Sequence, residues 1–326
     1  MSFRTGVFRA GERVQLTGPK GRINTVTLTP GEAFHSHRGF VPHDAIIGQP
    51  DGSVVRSSSD EEYLAQRPLL ADFTISMPRG AAIVYPKDAG QILVQADIFP
   101  GAHVVEAGVG SGALSLWLLR AIGERGTLRS IERREEFAQV AKANVTAFNG
   151  ELPANWTVEL GDLAEVLPAS TEPGSVDRVI LDMLAPWECI DAVADALAPG
   201  GVVCCYVATV TQLSRTVETI RASQRFTEPE ASETMVRTWH VEGLAVRPDH
   251  RMTGHTGFLL TARRLAPGAV PPERKRRASK DDYTEEDVEA WTPGALGERE
   301  RSPKRARKAM RQATAVAEAA TGRPIE

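Results

Sequence analysis

Cysteine is scarce in this chain. Cys189, Cys204 and Cys205 are the only three in 326 residues, too few for a disulfide framework. Cys204 and Cys205 are adjacent inside an apolar stretch, where thiols act as small hydrophobes, and this usage fits a reducing compartment, the cytoplasm. Long apolar runs are lacking as well. The N-terminal stretch "MSFRTGVFRAGERVQL" has no continuous apolar core of the kind an export signal carries. No later segment approaches the roughly 20 apolar residues that cross a bilayer. A soluble, unexported protein is expected. Neither sign of charge dominates: the formal net charge is −4. That balance neither favours nor excludes nucleic acid, because a polyanion is met by a local basic patch rather than by the average.

What is present is material for a substantial core, with 42% apolar residues, enough for one large domain and a small one. Residues 1–66 read as a small β module: "RVQLTG", "INTVTLT" and "DAIIG" are short β-like pieces separated by "GPKGR" and "QPDGS". From "RPLLADFTISM" the texture changes. Leu69, Leu70, Phe73 and Met77 recur at helical steps, and Asp88 offers a helix start before Ile92, Leu93 and Ala96. Strands and helices then alternate: "HVVEAG", "TLRSIE", "WTVELG", "VDRVILDM" and "GVVCCYVA" are strands, with helices at "SGALSLWLLRAI", "EEFAQVAKANVTAF" and 188–197, the last ended by Pro199-Gly200-Gly201. Such alternation predicts a doubly wound α/β sheet, mostly parallel and covered on both faces, over residues 67–266. "TMVRTWHVEGLAV" and "GFLLTARRL" read as an antiparallel hairpin added at its edge.

Past Pro267 apolar residues become too sparse for a core, so 267–326 reads as a charged tail with one short helix started by Ser302 and Pro303. Its basic clusters, Arg274 to Arg277 and Lys304 to Lys308, would suit phosphates, but Asp281, Asp282, Glu285 and Glu286 interleave with them.

The stretch "VVEAGVGSGALSL" raises the question of a ligand. A strand ending near Glu106 delivers the chain to the carboxyl edge of the sheet, where Gly108, Gly110 and Gly112 permit a tight turn and close backbone approach. The spacing is E-x-G-x-G-x-G. The dinucleotide fingerprint G-x-G-x-x-G is absent, so no dinucleotide follows from it. A lone glycine loop is equally a simple βα turn. Two acids on the next strands change that balance: Glu132 can accept from both ribose hydroxyls, and Asp162 can accept from an adenine amine. A loop, a ribose acid and an adenine acid in consecutive βα units describe an adenosine ligand without phosphates.

That pattern resembles the class I S-adenosylmethionine-dependent methyltransferases, whose Rossmann-like sheet ends in an added hairpin. A fourth edge residue, Asp182 in "VILDMLAPWE", then falls beside the cofactor's methyl group. Methylating carbon 5 of a pyrimidine needs a cysteine nucleophile, and no Pro-Cys pair lies at that edge. Adenine N1 already carries an in-plane lone pair; it needs alignment and stabilisation of developing positive charge, which an ionised Asp182 accepting from N6 would supply. Asp182 as a helix N-cap is the structural alternative.

"FHSHRGFVPHDAIIG", "RPLLADFTISMPRG", "IVYPKDAGQI", "EAGVGSGALSL", "LDMLAPWE", "YVATVTQLSR" and "GHTGFLLTARR", in this order between residue 10 and about 266, resemble the TrmI family. These are tRNA (adenine-N1)-methyltransferases acting at position 58, in the T-loop. The resemblance implies a cytoplasmic homotetramer with a small N-terminal β domain and a tRNA substrate. It implies S-adenosyl-L-methionine held by a set comprising Glu106, Gly108, Gly110, Ser111, Gly112, Ala113, Leu114, Glu132, Asp162, Leu163 and Asp182. It implies Asp182 as catalytic carboxylate and Tyr85 near the target base. Tyr85 read alone is either a core tyrosine or a platform stacking on a flipped base. Phe137 is not polar as in some relatives, so no contact is carried onto it, and the tail inherits nothing.

His35, His37 and His43 sit in a loop-rich β module without cysteine or clustered acid, which points to RNA contact or structure rather than zinc. His255 in "GHTGF" is either a turn residue or part of the target pocket. Two other function classes compete with the enzyme reading: a catalytically silent RNA-binding subunit of a tRNA methyltransferase, and a nicotinamide-dependent oxidoreductase. A silent subunit is expected to lose the glycine loop or Asp182, and both are present. An oxidoreductase needs the missing dinucleotide fingerprint. Protein carboxyl methylation on the same fold is a further competitor.

Overall fold

The computed structural model describes residues 5–79, 82–272 and 284; the short helix expected from Ser302 and Pro303 and the basic clusters of the tail lie outside the described residues. Six short strands come first: β1 (Arg13–Thr17), β2 (Ile23–Thr27), β3 (Ala33–Ser36), β4 (Gly39–Pro42), β5 (Ser53–Arg56) and β6 (Glu62–Gln66). Four of them form an antiparallel sheet in the order β2-β1-β6-β5, and β3 pairs with β4 in a separate hairpin. Alternation builds this layer: Val14 and Leu16 of β1 are fully buried between half-buried polar neighbours, and they pack with Phe8, Leu28, Val41 and Ile46. The "DAIIG" piece is not a strand. His43–Ala45 forms a 3-10 turn, and the amides of Ile46 and Ile47 both bond to the His43 carbonyl, so Ile46 enters the core from a turn.

Two helices follow, α1 (Leu70–Ser76) and α2 (Pro86–Gln95). Leu70, Phe73 and Met77 of the first face the core, whereas Leu69 is exposed at the N-cap. The second starts earlier than Asp88 suggested. Tyr85 is its N-cap and Pro86 its first residue, where a missing N–H costs nothing, and Asp88 is fully buried in the first turn.

The remaining elements are β7 (His103–Ala107), α3 (Ala113–Ile122), β8 (Thr127–Glu132), α4 (Glu135–Asn149), β9 (Trp156–Leu160), α5 (Leu163–Ser170), β10 (Val176–Asp182), α6 (Ile190–Ala196), β11 (Leu197–Val207), α7 (Val210–Ser223), β12 (Glu230–Ser232), β13 (Trp239–Glu242), β14 (Ala245–Pro248) and β15 (Phe258–Arg263). Seven of these strands make one sheet, ordered β12-β15-β11-β10-β7-β8-β9. β9, β8, β7, β10 and β11 are parallel, and β15 runs against β11. Both faces are covered: Val104 and Ile180 enter one apolar cluster, Val105, Val179 and Leu181 the other, which is why the central strands read as continuous apolar runs. The chain leaves β7 towards β8 on one side and returns to β10 on the other. A crevice opens at that reversal, outside the carboxyl ends of the strands.

Two expected details differ. α6 ends at Ala196, and Pro199-Gly200-Gly201 lies within the long strand β11 instead of closing a helix. The edge partner of β15 is the three-residue β12, while "TMVRTWHVEGLAV" folds back as the separate hairpin β13–β14. The strand pattern alone could not choose between these partners, because both segments alternate.

Candidate active site at the carboxyl edge of the sheet

The loop after β7 is shaped by close backbone approach. Gly108 has φ +84°, and a Cβ there would lie 1.7 Å from the Asp182 carbonyl oxygen, so only glycine fits. Gly112, also left-handed at φ +79°, is the N-cap of α3 and faces Ala141 of α4. Glu132, at the end of β8, closes the loop. Its Oε2 accepts from the Gly110 amide at 3.2 Å, and its Oε1 accepts from the Arg134 amide at 3.1 Å.

Three carboxylates converge beneath and beside this loop. Glu106 is fully buried; its Oε2 accepts from Ser115 at 2.7 Å and Ser130 at 2.6 Å, and its Oε1 has no hydrogen-bond partner among the described residues. Burial pushes its carboxyl up to about 7, opposed by the two serine hydroxyls and reinforced by the charge of Glu132. Asp182, the last residue of β10, is likewise raised to about 7, by burial first and then by the charges of Glu106 and Glu132. It does not cap a helix: the 3-10 turn that follows starts after Ala185. Asp162 does cap one, accepting from the Ala164 amide at 2.9 Å at the start of α5, and it pairs with Arg133.

Two clefts meet at this edge. The smaller, about 190 Å³, lies between the Ala82–Val84 segment and the loop, lined also by Ser111, Ala113 and Leu114. The larger, about 630 Å³, runs from Glu132 and Arg133 past Gly161 and Leu163 to Met183, Leu184 and Glu188. Gly108, Glu132, Arg134 and Asp182 line both. Of the sequence candidates, Glu106, Gly112, Asp162 and Tyr85 line neither cleft: Glu106 sits behind the loop, Gly112 supports α3, Asp162 is engaged at the start of α5 between the lining residues Gly161 and Leu163, and Tyr85 follows the lining residue Val84. Arg133, Arg134 and the Met183–Leu184 pair were not singled out from the sequence, although each follows directly on Glu132 or Asp182.

The residues suit a cationic, phosphate-free nucleoside. The Gly110 amide, which a pyrophosphate would need, is already given to Glu132, and any phosphate here would face clustered carboxylates. The Ser111 hydroxyl is buried without a partner among the described residues, and Glu132 keeps free lone pairs towards both clefts.

The other candidates resolve individually. Tyr85 is partly exposed at the start of α2. His255 is an anchor: its Nδ1 lies 2.9 Å from Glu233 and its Nε2 3.1 Å from the Ala208 carbonyl, contacts that raise its pKa, the Ala208 carbonyl foremost. His43 is buried and accepts from the Thr29 amide at 3.0 Å, whereas His35 packs against the Phe40 ring. His37 accepts from the Arg38 guanidinium at 3.2 Å, so the three histidines of the β module point to separate partners. Phe137 carries the Arg134 guanidinium at 3.8 Å from its ring centre.

Comparison with known proteins agrees with this geometry. Residues 6–55 match the family model "TrmI-like N-terminal", and residues 63–246 match "tRNA methyltransferase complex GCD14 subunit". The chain is 37% identical over 252 residues to the tRNA (adenine(58)-N(1))-methyltransferase TrmI of Thermus thermophilus, covering 75% of this chain and 94% of that one. It is 29% identical over 266 residues to the TrmI of Methanocaldococcus jannaschii, named as acting at adenines 57 and 58, covering 74% and 89%. Among solved structures, the tRNA (m1A58) methyltransferase TrmI of Aquifex aeolicus superposes with a TM-score of 0.71 at 26% identity, over 80% of this chain and all of that one. A SAM-dependent O-methyltransferase of Thermotoga maritima does so at 0.74 and 28%, over 84% and 97%. With a class I methyltransferase fold, the glycine loop and the edge carboxylates in place, the chain belongs to the TrmI family of tRNA (adenine-N1)-methyltransferases.

Proposed function

We propose that this chain transfers a methyl group from S-adenosylmethionine to N1 of adenine 58 in the T-loop of tRNA, giving 1-methyladenosine. The observation that carries this reading is the position of Asp182 on the seam shared by both clefts, beside Glu132. Glu132 would hold the cofactor's ribose, Asp162 and Leu163 its adenine, and the loop from Gly108 through Leu114 its amino-acid end, with Glu106 setting the field behind them. When bound, S-adenosylmethionine supplies a methyl group on a positively charged sulfur.

Asp182 would accept a hydrogen bond from N6 of the target base and align N1. Its interaction strengthens as the ring becomes cationic, so it favours the transition state over the ground state. No base has to remove a proton from N1, and no thiol has to attack the ring. The three cysteines are free and buried, their thiols pushed up by burial above all, to about 11 for Cys189, to about 12 for Cys204 and well above the ordinary thiol value for Cys205, which suits inert packing groups. Tyr85 would stack on the extruded adenine.

We assign residues 1–66 to a substrate-side β module and 67–266 to the catalytic domain, acting in the cytoplasm as a homotetramer. The described residues contain no helix long and apolar enough to cross a membrane. Self-association is supported by the β13–β14 hairpin, which presents Trp239, Val241 and Val246 to solvent. Nucleoside mass spectrometry after incubation with unmodified tRNA and S-adenosylmethionine tests the reading. 1-Methyladenosine mapped to position 58 is the expected product, and its absence under conditions where the cofactor binds overturns the assignment. Additional label at position 57 would extend the specificity to the neighbouring purine.

A further inference from the structure

A second set of buried polar side chains lies outside the cofactor clefts, and the methyl-transfer step described above does not use it. Lys87 and Asp88 form an ion pair at 2.7 Å with side chains 6% and 0% exposed. The Lys87 Nζ also donates to the Thr256 hydroxyl at 2.6 Å, Thr256 donates to Asp88 Oδ2 at 2.5 Å, and the Tyr206 hydroxyl donates to the same oxygen at 3.3 Å. The four side chains come from three parts of the fold: Lys87 and Asp88 from the first turn of α2, Tyr206 from the end of β11, and Thr256 from the connection into β15.

Stability alone is a poor reason for this arrangement. Burying two charges costs several kcal/mol per ion before their attraction offsets it. A lysine in the first turn of a helix also opposes the helix dipole. Apolar side chains of similar volume would hold α2 against β15 at lower cost. The pair does something apolar contacts do not: it fixes direction. The Asp88 and Ala89 amides both bond to the Tyr85 carbonyl at 2.9 Å, so Asp88 grips Tyr85 through its backbone while its side chain grips Tyr206 and Thr256. Tyr206 is the register neighbour of Asp182 in the adjacent strand, and the charge of Asp182 reaches its phenol. A Cβ on Gly257 would lie 2.4 Å from the Tyr206 ring, so the connection is pressed against that ring, and His255 pins it to Ala208.

We propose that Lys87, Asp88 and Thr256 are positioning residues that lock Tyr85 and Tyr206 in fixed relation to Asp182, building the wall against which the target base is aligned. This rests on the assignment of Asp182 and Tyr85 to the target base. Alignment within a fraction of an ångström is worth orders of magnitude in rate, so loosening the wall slows transfer even when both substrates remain bound. The cofactor clefts, which none of the three residues lines, stay intact.

The test is single-turnover methyl transfer at saturating tRNA and S-adenosylmethionine, on proteins shown to be folded by calorimetry. Thr256→Val removes the relaying hydroxyl at nearly constant volume, Thr256→Ser restores it, and Asp88→Asn keeps the shape of the acceptor without its charge. We expect Thr256→Val and Asp88→Asn to transfer at least about tenfold more slowly, with cofactor affinity within about twofold of the parent and Thr256→Ser close to it. Thr256→Val and Asp88→Asn enzymes within twofold of the parent rate, or an equally slow Thr256→Ser, overturn the proposal. Asp182→Asn runs in parallel to separate the two readings. If it is crippled while Thr256→Val is normal, the positioning role falls alone; if it is normal, the target-base assignment falls and takes the positioning role with it.

Discussion

A carboxylate that must accept a hydrogen bond from an amine is useful while it is ionised, and Asp182 is held near neutrality by burial and by Glu106 and Glu132. In the free enzyme kcat/KM is therefore expected to rise with pH through about 7. A bound cation offsets the repulsion from Glu106 and Glu132, so the rise in kcat should fall at lower pH than the rise in kcat/KM. Asp182→Asn should remove the acidic limb and slow the chemical step by roughly two orders of magnitude or more, as loss of a charged stabilising group does. A variant that keeps the limb would assign it elsewhere. The stability sign is opposite to that of an ion-paired acid. Glu106 and Asp182 bind protons more tightly folded than unfolded, from ordinary values of 4.5 and 3.8 up to about 7. The folded state thus carries more protons in that window, and the ligand-free protein loses stability as pH rises through it. These roles were partly legible in the chain. Glu132 and Asp182 are readable as edge carboxylates because each ends an apolar strand. That Glu132 takes the Gly110 amide, and that Glu106 is turned away from the cleft onto two serines, depends on the register of β7 against β8 and is invisible in one dimension.

Elements whose side-chain period matches one dominant face are legible for the same reason they are stable. β7, β8 and β10 are apolar on both faces because helices cover both, and α3 and α4 carry stripes that match. Short segments fail where tertiary context decides. Asp88 has the chemistry of an N-cap, but Pro86 fixes the helix start one turn earlier and the aspartate is taken by Thr256 and Tyr206. "DAIIG" has strand composition, and its isoleucines are drawn into the core by a turn. α7 has no counterpart among the helices expected from the sequence, although its start is signalled there: Thr209 at the N-cap and Gln212 three residues on form a capping box, with the Gln212 amide donating to Thr209 at 3.2 Å. The same Gln212 donates at 2.9 Å to the Leu184 carbonyl, so this cap also steadies the loop beside Asp182. Thr209→Ala is expected to cost about 1 kcal/mol, the usual loss for a cap, seen as a lower melting temperature. The Gln212 side chain keeps its bonds from the Ala208 and Thr209 amides in that variant, so single-turnover transfer should change little. An unchanged melting temperature would show that the cap contributes little to holding α7.

At the scale of the whole molecule, one feature of the surface bears on the proposed homotetramer. The β13–β14 hairpin stands apart from the main sheet, and its pairs Trp239 with Pro248 and Val241 with Val246 place four apolar groups on one face, while His240 with Arg247 and Glu242 with Ala245 occupy the other. Trp239 is 59% exposed and Val241 69%, with Leu244 at the turn fully exposed. A two-stranded ribbon is marginal alone in water, and an exposed aromatic and β-branched face of this kind costs solubility unless something covers it. A second copy of the chain is the occupant that the homotetramer reading supplies, by an isologous contact in which the same face meets itself. Placing charge on that face should then divide the assembly without touching the clefts. Trp239→Ser combined with Val241→Lys is expected to sediment as a smaller species than the parent at micromolar concentration. Binding of S-adenosylmethionine, measured by calorimetry, should stay within about twofold, since the hairpin contributes no residue to either cleft. Identical sedimentation of parent and variant would remove the hairpin from the interface, and a parent that already sediments as a monomer would remove the assembly itself.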